Sequence, residues 1–249
     1  MEKARIYRES EIKIMAEGGR RLSKIFCCLK KEVRVGQRTE EVIKIADKLF
    51  KESGDVPSFK GYQGYKDSIC ISINEEVVHT GGSNRVLQNG DIVSLDLGLY
   101  FKGYHTDMAA TIPLGNVSER SLKLIGTTRE ALDRAIELVT DGVKIELIGD
   151  KIEQIARDGG FFAVEFLTGH GIGKILHEPP TIYNFKKEHQ GSLKEGMVIA
   201  IEPIINQISS EVVFKENGSV ITKDGGRSAH FEQTMAVTKT GSRVLTFFK

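Results

Sequence analysis

The chain has 249 residues, with 35 basic and 34 acidic side chains, a formal net charge of +1, three cysteines and no tryptophan. That length excludes a disulfide-stapled mini-protein, and the near-balanced charge excludes a global basic field for capturing nucleic acid. An apolar content of 40% supports a packed core, while adjacent Cys27 and Cys28 with a solitary Cys70 suggest neither a disulfide framework nor a thiolate zinc site.

Helical spacing begins after Ser10, a candidate N-cap, with Met15, Leu22, Ile25, Phe26 and Leu29 forming an apolar stripe. Gly36 breaks it. Thr39 is expected to cap a second helix carrying Val42, Ile43, Ala46, Leu49 and Phe50, closed by Gly54. Extended stretches follow at Ser68 to Val78, Asp91 to Phe101 and Tyr104 to Pro113, with turn signals at Asn89-Gly90 and Lys102-Gly103. From Ser118 the order restarts. A helix to about Leu138 should bury Leu122, Ile125, Leu132, Ala135 and Ile136. A second one holds Ile148, Ile152, Ile155 and Ala156 and stops at Gly159-Gly160. Strand-like segments then run over Phe161 to Thr168, Met197 to Ile205, Glu211 to Val213, Ser219 to Thr222 and Ala229 to Thr238.

A helix–helix–strands unit is thus used twice, offset by 106 residues. No low-complexity linker separates the halves, about 10–113 and 118–240, so a single α+β domain over 1–249 is expected. Met1-Glu2-Lys3-Ala4-Arg5 lacks the apolar stretch of a signal peptide. The apolar run Met197 to Ile205 is broken by Glu202, well short of the roughly 20 residues a membrane span needs. The expectation is a cytoplasmic chain with no membrane contact.

The informative residues are acids inside apolar strands. Asp96 lies in Ile92-Val93-Ser94-Leu95-Asp96-Leu97-Gly98, and Glu202 in Val198-Ile199-Ala200-Ile201-Glu202-Pro203-Ile204. A buried carboxylate must be paired, protonated or metal-bound. The repeat offset maps one acid onto the other, so each half would deliver an acid to a shared place; edge-facing salt bridges are the alternative. Asp107 follows Asp96 by 11 residues across the Lys102-Gly103 turn, a spacing that puts both on one face of a hairpin. Glu232 occupies another extended segment, and His170 sits in Gly169-His170-Gly171-Ile172-Gly173. Two Asp, two Glu and one His form a hard, oxygen-rich set suited to a pair of divalent ions such as Mn, Fe, Co or Zn. His189, in a charged run, is read as surface. His105 and His230 each precede a proposed ligand by two residues, either supporting it or serving structure, while His79 and His177 end apolar stretches and could project into a cleft.

Together these residues resemble the methionine aminopeptidases across nearly the whole chain. The resemblance rests on Asn74-Glu75-Glu76-Val77-Val78-His79, Asp96 and Asp107 at their spacing, and Gly169-His170-Gly171-Ile172-Gly173. It continues in His177-Glu178-Pro179, Ile201-Glu202-Pro203 and Phe231-Glu232-Gln233-Thr234. It implies the pita-bread fold, with two pseudo-symmetric halves around a dinuclear site held by Asp96, Asp107, His170, Glu202 and Glu232, of which Asp107 and Glu232 bridge the ions. It further implies Glu202 as proton shuttle, His177 on the tetrahedral oxygen and His79 at the scissile amide. The methionine pocket would comprise Phe59, Tyr62, Tyr65, Cys70 and Leu176, together with His79 and His177. The implied partners are N-terminal methionyl peptides and nascent chains, which leaves room for ribosome association; a monomer is expected. Only 24 residues separate His177 from Glu202 and no zinc-binding extension precedes the first helix, which resembles the type I, bacterial form. Thr80, Ser219 and Gln233 depart from residues common in the family, glycine, tryptophan and histidine respectively, and bear on the pocket rim. The rivals are a prolidase or aminopeptidase P with the same five ligands, and a pita-bread module that binds peptides without catalysis.

Overall fold

The computed structural model describes residues 4–189 and 191–248. Met1 to Lys3 of the N-terminal stretch, Gln190 of the charged run and Lys249 lie outside the described residues.

The first half contains α1 (Glu9–Glu32), α2 (Thr39–Ser53), β1 (Val56–Pro57), β2 (Cys70–Ile73), β3 (Glu76–Val78), β4 (Ile92–Phe101) and β5 (Tyr104–Pro113). The second contains α3 (Glu119–Glu137), α4 (Glu146–Asp158), β6 (Phe162–Ala163), β7 (Thr168–Gly171), β8 (Glu178–Tyr183), β9 (Val198–Ile201) and β10 (Ile204–Asn206). It continues with β11 (Val212–Phe214), β12 (Val220–Thr222), β13 (Ser228–Thr238) and β14 (Gly241–Val244). Among the described residues, eleven strands form one antiparallel sheet along β1-β4-β5-β13-β9-β7-β8 with side branches, and β11-β12-β3 form a smaller one. The repeat is visible in the pairing: β1 lies antiparallel to β4, and β6 to β10.

Local chemistry sets the boundaries. Lys102 and Gly103 both adopt positive φ, 49° and 92°, as a two-residue hairpin turn requires, and they join β4 to β5. Gly54 closes α2 in the left-handed region at φ 69°. The helix starts differ from expectation: Arg8 and Arg38 are the N-caps, not Ser10 and Thr39. Glu11 and Glu41, three residues on, accept the cap N–H at 2.9 and 2.7 Å and fix the starts of α1 and α2 two residues and one residue early, respectively. In α3, Ser118 is the N-cap, accepting from the Ser121 N–H. Leu122, however, is 48% exposed, and Leu124 is buried in its place. Phe161 to Thr168 is strand only at β6 and at Thr168, where β7 begins, and the Met197 to Ile205 strand is interrupted at Glu202-Pro203.

Alternation along the central strands sorts the two faces of the sheet. Leu95, Leu97 and Leu99 of β4, Met108 and Ala110 of β5, and Phe231 and Met235 of β13 join Leu22 and Phe26 of α1 and Leu132 of α3 in the main core. Asp96, Asp107, Glu232 and their same-face neighbours are left for the opposite side.

Candidate metal centre

Strand register places the acids before any side chain is considered. Asp96 lies opposite Ala109, and Ala109 lies opposite Glu232. Glu202 falls between the pairs Gln233↔Ile201 and Ile204↔His230, which brings it opposite Glu232. Asp96, Ala109, Glu232 and Glu202 therefore form one row across the sheet. Two residues along, Gly98 faces Asp107, Thr234 faces Ala200, and Ala200 faces His170. Thr234 Oγ1 closes this second row on β5, accepting from the Asp107 N–H at 2.9 Å and donating to the Asp107 carbonyl at 2.8 Å. Partners in a ladder share a face, and neighbouring rows are about 7 Å apart. All five predicted residues thus meet on one side of the sheet, spaced by small residues that leave room above it. Asp96 and Asp107 are diagonal neighbours, each opposite a small residue.

The cavity above this face, about 280 Å³, is lined by Asp96, Asp107, His170, Glu202 and Glu232 together with His79, His177 and His230. One ligand atom each from Asp107, His170 and Glu232 comes within 4.8 Å of the others. His170 Nδ1 donates to the Gly171 carbonyl at 2.9 Å, which fixes the tautomer and turns the Nε2 lone pair toward Glu202 and Glu232, 3.7 and 3.8 Å away. His230 Nε2 lies 3.5 Å from Glu202 Oε2.

Electrostatics makes this cluster unstable by itself. Burial, reinforced by Glu202, pushes Asp96 up to about 7 despite the opposing pull of His230, and burial pushes Glu202 up to about 8. Burial and the neighbouring carboxylates hold Asp107 and Glu232 well above the usual carboxylate range. Burial drives His170 down to about 3, so its imidazole is neutral. Asp96 Oδ1 and Glu232 Oε1 are buried without a hydrogen-bond partner. No Lys or Arg lines the cavity among the described residues. Acceptors therefore converge on one another, and either extra protons or a cation must separate them.

The profile of the family described as "Metallopeptidase family M24" matches residues 13–239. The chain belongs to the metallopeptidase family M24. Methionine aminopeptidase 1 of Bacillus subtilis (strain 168) is 42% identical over 238 residues, covering 95% of this chain and 96% of that protein. The crystal structure of methionine aminopeptidase from Thermotoga maritima matches with a TM-score of 0.95 at 36% identity, covering 98% of this chain and 99% of that one. Prolidase from Pyrococcus furiosus matches at a TM-score of 0.79 and 26% identity, and only 66% of its own length is covered. The fold is the pita-bread fold that the resemblance implied.

Membership of M24 implies a divalent metal, and the residues present fit one: a hard, oxygen-rich donor set, orphaned buried carboxylate oxygens and an imidazole lone pair aimed among them. The expected pocket residues Phe59, Tyr62, Tyr65, Cys70 and Leu176 line the same cavity. Phe59 can approach because Gly98 lacks a Cβ, which would sit 2.7 Å from its Cε1. Cys70 extends the first row, opposite Asp96. His177 Nδ1 meets the Tyr62 hydroxyl at 2.9 Å, and burial with nearby His79 and His105 lowers its pKa to about 4. His189 is on the surface, its side chain 94% exposed. His105 does not line the cavity; its Nδ1 meets Ser58 Oγ at 2.8 Å.

The three departures fall in different places. Gln233 faces the core side, donating to the Thr246 carbonyl, so it does not shape the rim. Thr80 gives its carbonyl to the Ile71 N–H and lies outside the cavity lining. Only the Asn217-Gly218 turn reaches the cavity, while Ser219 bonds back to Asn217 Oδ1. Sequence reasoning passed over Thr234 as a site residue, although its position two after Glu232 put it on the same face.

Proposed function

We propose that the chain is a methionine aminopeptidase that hydrolyses the first peptide bond of N-terminal methionyl peptides and nascent chains. The observation that carries this reading is the pair of rows: five metal-type donors meet under a cleft whose wall is Phe59, Tyr62, Tyr65 and Cys70. A narrow pocket of aromatic and sulfur groups fits an unbranched thioether. The full-length likeness to methionine aminopeptidases, against partial coverage of the prolidase, supports this activity over the prolidase alternative. All five donor positions are filled, which disfavours a non-catalytic binding module.

In this reading Asp96, Asp107, His170, Glu202 and Glu232 would hold two divalent ions; Co, Mn, Fe and Zn all suit the set. Bound ions supply Lewis acidity, acidifying water and polarising a carbonyl. Glu202, at the break between β9 and β10, accepts the proton of the attacking water and passes it to the leaving amine. His177, neutral and held by Tyr62, donates from Nε2 to the developing tetrahedral oxygen. His79, at the end of β3, meets the scissile amide. Residues 1–249 act as one catalytic domain built of halves 10–113 and 118–240. As the sequence reading expects, the protein would work in the cytoplasm as a monomer.

The test is release of the first residue from a small peptide panel. Methionine should leave Met-Ala-type peptides, stop on chelation and resume on adding a divalent ion. Faster release of residues adjoining proline would sink the reading in favour of a prolidase.

A further inference from the structure

His177 faces the cleft, but the next residue faces away from it. Successive residues of an extended chain point to opposite sides, and Glu178, the first of β8, sets its carboxylate behind the 172–178 segment. That side chain is only 6% exposed, and it takes no part in the metal centre. Its partners come from the stretch preceding α1. The Tyr7 hydroxyl donates to Glu178 Oε1, and Arg5 Nε stands 3.5 Å from Oε2. The same hydroxyl accepts from the Lys174 N–H at 2.9 Å, so one oxygen ties both ends of the 174–178 turn.

Tyr7 is itself well anchored. It is 3% exposed, its N–H donates to the Gly196 carbonyl at 2.8 Å, and its ring packs edge-on to Tyr104 at 6.0 Å. It lies so close over Gly173 that any side chain there would overlap it. Burial and the bond to Glu178 raise its pKa above the ordinary tyrosine value, so it remains a donor. Within the turn, Lys174 and Ile175 are exposed and Leu176 is buried. Across the cleft, His177 is met by the Tyr62 hydroxyl. The back of the turn is held by the hook from Tyr7 and Arg5.

We propose that Tyr7, assisted by Arg5, is a positioning residue that fixes Glu178 and thereby aims the His177 imidazole at the substrate carbonyl. The inference rests on the aminopeptidase reading, in which His177 acts on the tetrahedral oxygen. It assigns a role in turnover to a segment more than 160 residues away in sequence from the group it orients.

A double-mutant cycle tests it. Tyr7→Phe keeps the ring and removes only the hydroxyl, so kcat on a Met-Ala peptide should fall on the order of 10-fold with KM nearly unchanged. In a His177→Ala background the same change should leave kcat within about two-fold, because there is no imidazole left to aim. Equal losses in both backgrounds, or no loss in Tyr7→Phe alone, would overturn the proposal in favour of a merely structural hook. A second readout does not need turnover: the His177 ring-proton resonances should shift or broaden in Tyr7→Phe while those of His189 stay put. Unchanged His177 resonances overturn the proposal. If Tyr7→Phe does not fold, Arg5→Gln, at a partly exposed position, should give a smaller loss that again vanishes without His177. A wild-type protein that releases no methionine would defeat the aminopeptidase reading, and the resonances would still decide whether Tyr7 orients His177.

Discussion

The two halves use one plan but deliver their carboxylates differently. In the first, β4 and β5 are unbroken ten-residue strands closed by Lys102-Gly103, and the hairpin carries Asp96 and Asp107 in fixed register. In the second, the strand equivalent to β4 is cut into β9 and β10 at Glu202-Pro203, and its partner β13 arrives only after β11 and β12. Glu202 thus belongs to no strand although its neighbours keep the ladder's register on both sides. The hairpin offers two side chains held by a continuous backbone ladder. The break offers one that can move a proton without disturbing the sheet. In the proposed reading, β4, β5, β7 and β13 hold their ligands rigidly from both halves, and the break at Glu202 adds the proton shuttle.

The largest expected effect tests that break directly. Glu202→Ala should keep the fold, because no ladder hydrogen bond depends on its side chain, yet lower kcat by at least about 10²-fold through loss of the shuttle. Circular dichroism together with peptide turnover checks this; a wild-type-like rate would remove Glu202 from proton transfer.

Next comes the charge shared by both halves. Asp96 and Glu202 have folded-state pKa values of about 7 and 8, raised by burial above their unfolded values near 4. Below about 6.5 the buried histidines, lowered in the fold, offset this excess; above it the metal-free folded state holds more protons than the unfolded chain. Its stability should fall as pH rises from about 6.5 to 8. For a chain of this size, each kcal/mol lost lowers Tm by about 2–4 °C. Added divalent ion should flatten the decline and raise Tm most at the alkaline end. Calorimetry across that range with and without ion is the measurement, and a metal-free Tm that climbs with pH would contradict the buried-acid account.

The hairpin itself can be sharpened by Gly98→Ala. The new Cβ would stand 2.7 Å from Phe59 Cε1 and 2.8 Å from the Ser58 Cβ, forcing the pocket wall to shift. A cost of about 1–3 kcal/mol in stability is expected, with a raised KM for methionyl peptides. Denaturant unfolding and steady-state kinetics would show both.

How much could be read from the chain alone follows the same contrast. Hairpin spacing across β4 and β5 was enough to put Asp96 and Asp107 on one face, and an acid among leucines and valines is buried at a cost that a partner or a cation must offset; Glu232 joins that face only through the pairing of β13 with β5. The interruption at Glu202-Pro203 was hidden, since Val198 to Ile205 is apolar on both sides of it. Helix starts were displaced by two residues in α1 and one in α2 because Glu11 and Glu41 bond the cap N–H, a reciprocal contact that outweighs the local preference for Ser10 or Thr39. Tyr7 carried no signal at all; its partner Glu178 is brought to it only by the fold.

The smallest effect concerns the helices. The α1 stripe was legible because every buried large side chain on it is apolar: Ile12, Met15, Leu22, Ile25, Phe26 and Leu29. The corresponding α3 packs with Ser121, Thr127 and Thr128 inward. Thr128 satisfies its hydroxyl on the Leu124 carbonyl at 2.8 Å, and Ser121 accepts from Arg227 at 2.7 Å, so these polar residues can be buried where apolar ones were expected. Their small size also lets Gly159 approach Thr127 closely. The true phase of α3 is therefore set by Leu124, Ala131 and Leu132, and Leu122 points outward. Leu124→Ala should cost about 2–5 kcal/mol, as a buried cavity does, and Leu122→Ala no more than about 0.5 kcal/mol. Equal costs in denaturant unfolding would mean that polar residues do not set the face of α3, and the contrast between the two helix pairs would disappear.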